Sequence, residues 1–574
     1  MNEIESVADC IRRNAADPGV RDRPFLLFGE VQLSHGEYAD ACMRLGALLQ
    51  DRRDGSRPFH LGILLDNLPE YLVAFGACAL SGATAVGINN TQRGGSLVRD
   101  ITHSDCQFLL TEPRYEEILG SVRGAIGIDH ERAFVTREHA GDDAARGEGL
   151  GVDFEAALRD VPGAALKEAE VDAGAPYILV FTSGTTGAPK GVCISQARML
   201  STGEKIADLM EVDAGARGYL AMPLFHANSQ QCGFMPALLR GAAVGMIRRF
   251  SRSQWLDDIR RYGVTCFNYT GKPLSFLLTT RRRPDDADNP LRIAYGNEGS
   301  ARILAEFSER FGCRVIDGFG ATEGGFGFAR TPSDPPGSVG RPPAEVKILD
   351  EEGHEKPRGV LDAQGRVTNP DEAIGEIVNT AGVGKFEGYY KNPEATAERT
   401  RGGMYWSGDF GFKDDDGFLY FTGRDISWIR VDGENFLARP IEDALQRHPD
   451  VYLCAVYAVP DEDAGDRVMA TLVLADDARF DGAAFVRFLE EQPDLSPKWL
   501  PTWIRIATEL PQTATNKILK PQLRADGFAP QRMTDPLFRR ERGSPAYEPF
   551  GATLYEEVRA RFLARGRDHL LPAD

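Results

Sequence analysis

The sequence has no Cys-x-x-Cys pair, no long uninterrupted apolar run, no fixed-period repeat and no excess of positive charge. Each absence removes a class of protein. Nine cysteines stand scattered at positions 10, 42, 78, 106, 193, 232, 266, 313 and 454. An odd number without metal-ligand spacing predicts neither a disulfide framework nor a structural zinc site, and points to a reducing, cytoplasmic setting. The opening MNEIESVADCIRRN lacks the apolar centre of a signal peptide. The longest apolar stretch, 71–88, is interrupted by Gly76, Ser81, Gly82, Thr84 and Gly87. It reads as a buried helix passing into a buried strand rather than a membrane span. The formal net charge is −19, which argues against a general nucleic-acid binder, because neutralising phosphates takes clustered Lys and Arg. An anionic ligand would need a local basic or backbone-amide pocket.

What is present is an ordinary globular composition, 42% hydrophobic and 26% charged over 574 residues, ample for a large core. Tyr38, Cys42, Leu45 and Leu48 form a helical stripe, with Ser34 and Glu37 spaced as a capping box. Short apolar runs at 60–65 and 107–110 alternate with helical stretches, which predicts an α/β fold with a largely parallel sheet. Residues 140–150 read as a polar surface loop. The segment 408–425 reads as two strands about a solvated Asp-Asp-Asp-Gly turn rather than a metal cluster. After residue 424, helix 439–446, strands 451–459 and 468–474 and helix 482–491 make a separate small domain. Residues 530–574 read as a tail with helical spacing over 554–563.

The sharpest local signal is YILVFTSGTTGAPKGV at 177–192. A buried strand runs into Thr182, Ser183, Gly184, Thr185, Thr186, Gly187 and Lys190, a loop of hydroxyls, exposed amides and one ammonium suited to a polyphosphate. It departs from the P-loop: Lys190 follows Pro189 and precedes Gly191-Val192, so a second strand, not a helix, should follow.

This loop resembles the signature of the adenylate-forming superfamily, which includes acyl-CoA synthetases, peptide-synthetase adenylation domains and luciferases. MPLFHANS at 222–229, DGFGATEGG at 317–325, GSVGRP at 337–342, GEI at 375–377, YWSGDFG at 405–411, GRDISWIRVDGENF at 423–436 and LPQTATNKILK at 510–520 resemble further segments of that family in the same order. The likeness spans residues 5–525. YGNEGS at 295–300, TEGG at 322–325, GEN at 433–435 and the ending DPLFRRERGSPAYEPF look most like the fatty-acid-transport-protein and very-long-chain acyl-CoA synthetase branch, without the N-terminal membrane helix of its animal members.

The resemblance implies a large N-terminal domain of packed sheets and helices, about 1–424, that holds ATP and the acid. It implies a small mobile α+β domain, 425–530, and a tail, 531–574. Thr182 to Thr186 and Lys190 would hold the β- and γ-phosphates. Phe319 would stack on adenine, with Asp317 and Gly318 at the base edge; a core aromatic is the competing reading. Gly296, Asn297 and Glu298 would line the nucleotide and acid pocket; Glu298 stands where many relatives have small neutral residues, and either biases the pocket toward a polar or cationic substrate group or is buried and paired. Thr322 would donate to the α-phosphate, and Glu323 would hold Mg²⁺ as a hard oxygen ligand. Asp409 would accept the ribose hydroxyls and Arg424 would support ribose or phosphate. Lys517, in a polar loop with Thr513, Thr515 and Asn516, would bridge carboxylate and phosphate during adenylation. Lys520 reads as a solvated neighbour. His226 has two readings, a gate to the acyl tunnel or a satisfied core histidine. At the hinge, Ile426 stands where many relatives have Asp or Lys, with Asp425 beside it.

The expected reaction is that of an AMP-forming ligase: ATP and a carboxylic acid give acyl-adenylate and pyrophosphate, and coenzyme A then takes the acyl group as the small domain brings Gly433 to the site. An amine or other nitrogen nucleophile, an oxidative luciferase-like use of the adenylate and a catalytically dead sensor are the alternatives. Retention of Lys190, Glu323, Asp409, Arg424 and Lys517 together opposes the last. The acid cannot be read, and the sequence leaves monomer and homodimer both open.

Overall fold

The computed structural model describes residues 5–572 apart from 142–148, 168, 170–171, 183–189, 271–272, 298, 300, 332, 363–366, 424–427, 432–433, 464, 476–477, 493–494, 496–497 and 513–517. The capping box is formed as expected. The Glu37 amide donates to Ser34 Oγ at 3.2 Å and the Ser34 amide to Glu37 Oε2 at 2.8 Å, opening helix His35–Asp51. The apolar run becomes helix Pro69–Ser81, buried on every side, and strand Thr84–Gly87. A helix apolar all round must lie between other layers. Gly76 lets it cross helix His35–Asp51, since a Cβ there would sit 2.3 Å from Cys42 Sγ.

Those layers are two large sheets. One has seven strands, in the spatial order Val152–Asp153, Ala133–Val135, Phe108–Thr111, His60–Leu64, Thr84–Gly87, Pro176–Thr182 and Lys190–Ser195, all parallel until the last pair. The other has eight, running Gly327–Arg330, Arg314–Gly320, Ile293–Asn297, Cys266–Thr270, Arg217–Leu220, Ala243–Met246, Pro24–Phe28 and Val31–Ser34, antiparallel only at its two edges. The apolar core fills the space between the sheets and around the helices. The sheets are also tied by charge. Asp66 and Glu112 extend from strands of the first; Arg248, from the second, donates to Asp66 at 3.0 Å and contacts Glu112.

A third, antiparallel sheet runs Val346–Leu349, Gly375–Asn379, Tyr405–Lys413 and Leu419–Gly423. Its last two strands flank the triple-Asp turn as expected. Asp414 departs from the solvated reading, because it is buried and accepts from the Phe418 amide at 2.8 Å and from Tyr420 Oη at 3.2 Å. Asp415 and Asp416 stay exposed.

After residue 424 the elements are helix Ala438–Leu445, strands Val451–Pro460 and Asp466–Leu474 and helix Gly482–Glu490. Trp503–Ile506 continues their sheet. Residues 531–574, set apart on the sequence as a tail, add strands Leu537–Arg539 and Glu548–Pro549 to the same sheet. Helix Ala552–Ala564 then packs Tyr555, Val558 and Phe562 into the cluster of Trp503 and Phe528. The loop expected over 140–150 lies largely outside the described residues, and its flanks Ala140 and Leu150 are buried. Among the described residues no helix is long and apolar enough to cross a membrane.

Candidate active site

The site is built where several strand ends meet. Tyr177 to Val180 are buried and carry strand Pro176–Thr182 through the core. The chain returns antiparallel as Lys190–Ser195, with Thr182 opposite Lys190. A strand follows the hydroxyl-rich loop, as its Pro and Gly-Val predict. Ser183, Gly184, Thr185, Thr186 and Gly187 lie outside the described residues. Lys190 Nζ stands 5.4 Å from the ring centroid of Tyr389, a cation–π distance.

In parallel α/β sheets, ligands collect beyond the carboxyl ends of the strands. Strands Ile293–Asn297 and Arg314–Gly320 end there side by side. Gly296 must lack a side chain, because a Cβ would fall 2.2 Å from the Tyr269 carbonyl oxygen and 2.5 Å from its ring. Asn297 Nδ2 donates to the Gly318 carbonyl at 2.7 Å. The Asp317 carboxylate accepts from Tyr269 Oη at 2.8 Å and from the Gly299 amide at 2.9 Å. It therefore holds the turn beside the site. Phe319 is half-buried among aromatics: its centroid is 5.3 Å from Phe421, 5.6 Å from Phe328 and 6.2 Å from Phe326. Glu298 lies outside the described residues.

The next turn carries Thr322 and Glu323; it is closed by the Gly324 amide donating to the Ala321 carbonyl at 3.0 Å and is held by residues distant in the chain. Buried Arg198 donates to the Thr322 carbonyl. The Lys385 amide donates to the Gly324 carbonyl at 2.9 Å and Asn379 Nδ2 to the Gly325 carbonyl at 2.8 Å. Tyr389 Oη donates to Glu323 Oε1 at 2.9 Å. Burial, reinforced by Glu323, pushes the Tyr389 phenol well above its ordinary range, so it stays a protonated donor. Glu323 is half-buried, and among the described residues its Oε2 meets no donor. An oxygen ligand held by one atom with the other open fits a hard divalent cation.

Asp409 is 4% exposed and sits on a distorted stretch of strand Tyr405–Lys413. Gly408 there has φ +69°, its amide donates to Glu376 Oε1 at 2.7 Å, and the Asp409 amide donates to Ser407 Oγ at 3.0 Å. Such irregularities re-aim side chains at strand ends. His226 is half-buried, its ring 4.3 Å from that of Phe225. It precedes a π-helical turn, Ser229–Phe234, a local form frequent at functional sites. Arg424, Asp425, Ile426, Gly433 and Lys517, with Thr513, Thr515 and Asn516, lie outside the described residues. Lys520 is not a solvated neighbour: its Nζ pairs with Glu442 Oε1 at 2.8 Å, and Glu442 is only 8% exposed. A buried carboxylate needs that cation.

The AMP-binding enzyme domain matches residues 11–390, and the AMP-binding enzyme C-terminal domain matches residues 440–517. The chain belongs to the AMP-binding enzyme family. It is an adenylate-forming enzyme, and the order of motifs along it is that of the family. The steroid-22-oyl-CoA synthetase of Rhodococcus jostii is 41% identical over 528 residues, 91% of each chain. The medium/long-chain-fatty-acid–CoA ligase FadD17 of Mycobacterium marinum is 43% identical over 485 residues, covering 84% of this chain and 89% of that one. Human long-chain fatty acid transport protein 5 is 28% identical over 95% of this chain and 81% of its own. The fold matches that of the anthranilate CoA ligase AuaEII, solved with anthranoyl-AMP, with a TM-score of 0.78 at 23% identity over 92% of this chain and 98% of that one.

Sequence reasoning missed Arg198, Asn379, Tyr389 and Arg399. Arg399 donates to the Trp406 carbonyl at 3.1 Å and lies against Gly408, where a Cβ would come within 2.3 Å of its Nη1. The paired tyrosines of EGYYKNPEAT were the one available hint. A lone Arg in the amphipathic helix Gln196–Leu209 carries none.

Proposed function

We propose that this enzyme is an AMP-forming acid–CoA ligase acting on a bulky, largely apolar carboxylic acid. The observation that carries it is the convergence of Lys190, beside the hydroxyl-rich loop, and Glu323 on Tyr389, one over its ring and the other at its hydroxyl. One cation for phosphate and one open carboxylate oxygen for a divalent ion are thereby set at a single polyphosphate site. Thr182 to Thr186 and Lys190 bind the outer phosphates, Thr322 the α-phosphate, and Phe319, with Gly318, the adenine; Asp409 and Arg424 take the ribose side. Glu323 would hold Mg²⁺, which would supply neutralisation of the phosphate charge. Lys517 offsets the repulsion between carboxylate and phosphate in the first step, and the 433 region faces the site in the second. We place the mobile unit after residue 424 and extend it through helix Ala552–Ala564, whose strands and core it shares.

Two relatives named as CoA ligases, for a steroid acid and for medium to long fatty acids, favour coenzyme A over a nitrogen nucleophile and an apolar acid over a small polar one. All nine cysteines are free thiols, eight of them buried, which supports a reducing cytoplasmic setting. The test is product analysis by mass spectrometry with ATP, Mg²⁺, coenzyme A and a panel of fatty and steroid acids. AMP, pyrophosphate and an acyl-CoA are expected; ADP with phosphate, or no thioester from any acid, overturns the reading.

A further inference from the structure

We propose that Tyr389 is a positioning residue that keeps Lys190 and Glu323 apart and aimed, so that one binds phosphate and the other the divalent cation. This rests on the roles given to those two residues above.

Three observations meet in this side chain. Its backbone is fixed to the strand that begins with Lys190: Val192 and Tyr389 form an antiparallel bridge, the Cys193 amide donates to the Gly388 carbonyl at 3.1 Å, and the Tyr390 amide donates to the Gly191 carbonyl at 2.8 Å. Residues 388–390 thus extend the hairpin that closes the phosphate loop. The ring is 6% exposed and braced edge-on by Phe386, 5.0 Å away at 68°. Finally, the two functional charges occupy different parts of it, the ammonium above the face at 5.4 Å and the carboxylate at the hydroxyl, 2.9 Å away.

The physical need is plain. An ammonium and a carboxylate facing one polyphosphate attract each other more as the site dries. Direct pairing would leave neither free for its ligand. Among the described residues Lys190 makes no ion pair within 4.0 Å, and Tyr389 engages both groups, the ammonium over its ring and the carboxylate at its hydroxyl. Its hydroxyl satisfies one oxygen of Glu323 and so fixes the plane in which the other is presented. An aromatic ring performs both tasks without adding charge.

Calorimetric titration of a non-hydrolysable ATP analogue, with Mg²⁺ and then with EDTA, separates the two tasks. Tyr389→Phe keeps the spacer and removes the donor. It should weaken the Mg²⁺-dependent binding about tenfold, as loss of a hydrogen bond to a charged group does, and leave binding in EDTA unchanged. Tyr389→Ala removes the spacer as well and should weaken both. Thermal melting by circular dichroism accompanies each variant; if Tyr389→Ala does not fold, Tyr389→Phe alone decides. Wild-type Mg²⁺ dependence in Tyr389→Phe, or equal losses with and without the metal, overturns the proposal. Glu323→Gln run in parallel guards the premise: if it too keeps wild-type Mg²⁺ dependence, the metal role of Glu323 fails, whereas its loss beside an intact Tyr389→Phe refutes the role of Tyr389 alone.

Discussion

Replacing Gly325 with alanine should disable the site without touching a group that contacts substrate. The added Cβ would lie 1.9 Å from Tyr405 Cδ1 and 2.2 Å from its Cγ and Cε1. Carbon atoms rest at about 3.5–4.0 Å, so something must move by roughly 1.5–2 Å. Tyr405 cannot yield easily: it is 1% exposed and wedged edge-on between Phe386, at 5.7 Å, and Phe326, at 6.0 Å. The backbone opposite is pinned as well, because Asn379 holds the Gly325 carbonyl at 2.8 Å and Gly384 packs on the same oxygen. Overpacking of this kind costs about 1–3 kcal/mol. The cheaper relaxation is displacement of the 321–325 turn, which carries Thr322 and Glu323 with it. A misplacement of about 1 Å at such groups lowers the rate on the order of 10²-fold. The assay is pyrophosphate release at saturating ATP, Mg²⁺ and acid, beside a urea unfolding curve. Gly327→Ala is the control, since a Cβ there meets only the Phe319 carbonyl oxygen at 3.8 Å; it should change stability by less than about 0.5 kcal/mol. A Gly325→Ala enzyme as fast and as stable as the control would refute the argument.

Other consequences can be checked in the same preparations. Asp100 is 1% exposed, its Oδ2 has no hydrogen-bond partner, and Arg99 approaches no nearer than 4.0 Å; burial raises its pKa from 3.8 to about 6. A carboxyl raised on folding gives stability that is full below pH 3.8 and lost as pH rises through about 6. Asp100→Asn should therefore stabilise the protein by about 1–3 kcal/mol at pH 8 and by no more than about 0.5 kcal/mol at pH 4, read from urea unfolding; equal effects at both pH values would reject the assignment. Asp409→Ala should weaken ATP binding by about 1–3 kcal/mol with the fold intact, and unchanged affinity by calorimetry would remove it from the ribose site. Lys517→Ala should cut pyrophosphate release by about 10²–10³-fold while sparing thioester formation from supplied acyl-adenylate. A bulky residue at Gly433 should do the reverse, and failure of both variants at the same step would end the two-pose scheme.

How much of this was legible in the sequence depends on how far each residue's partner lies along the chain. The helix from His35 announces itself because its cap and its stripe are local: Ser34 and Glu37 are three apart. The small domain's helices and strands fall within two residues of their expected bounds for the same reason, since periods of 3.6 and 2 are read inside a short window. The strands within 531–574 are not legible in the sequence because strands of three and two residues have no period; Leu537–Arg539 is a strand only because Trp503–Ile506 is there to pair with it. At the site the division is sharper. Residues to which the proposed chemistry is assigned, such as Lys190, Glu323 and Asp409, stand in short segments whose residue types are unusual together. Residues that hold them in place are ordinary. Tyr389 reaches Glu323 across 66 positions and Arg198 reaches Thr322 across 124. A tyrosine or an arginine at those positions is compatible with many surroundings, so one sequence cannot distinguish the support from a generic core or surface residue. The same reasoning explains Lys520, which looked solvated until its buried partner Glu442, 78 positions earlier, came into view. The chemistry of the reaction is thus encoded locally and its precision is encoded by the fold. Substitutions at Tyr389, Arg198 and Gly325 should for that reason degrade the enzyme's metal and nucleotide geometry while leaving every recognisable motif in place.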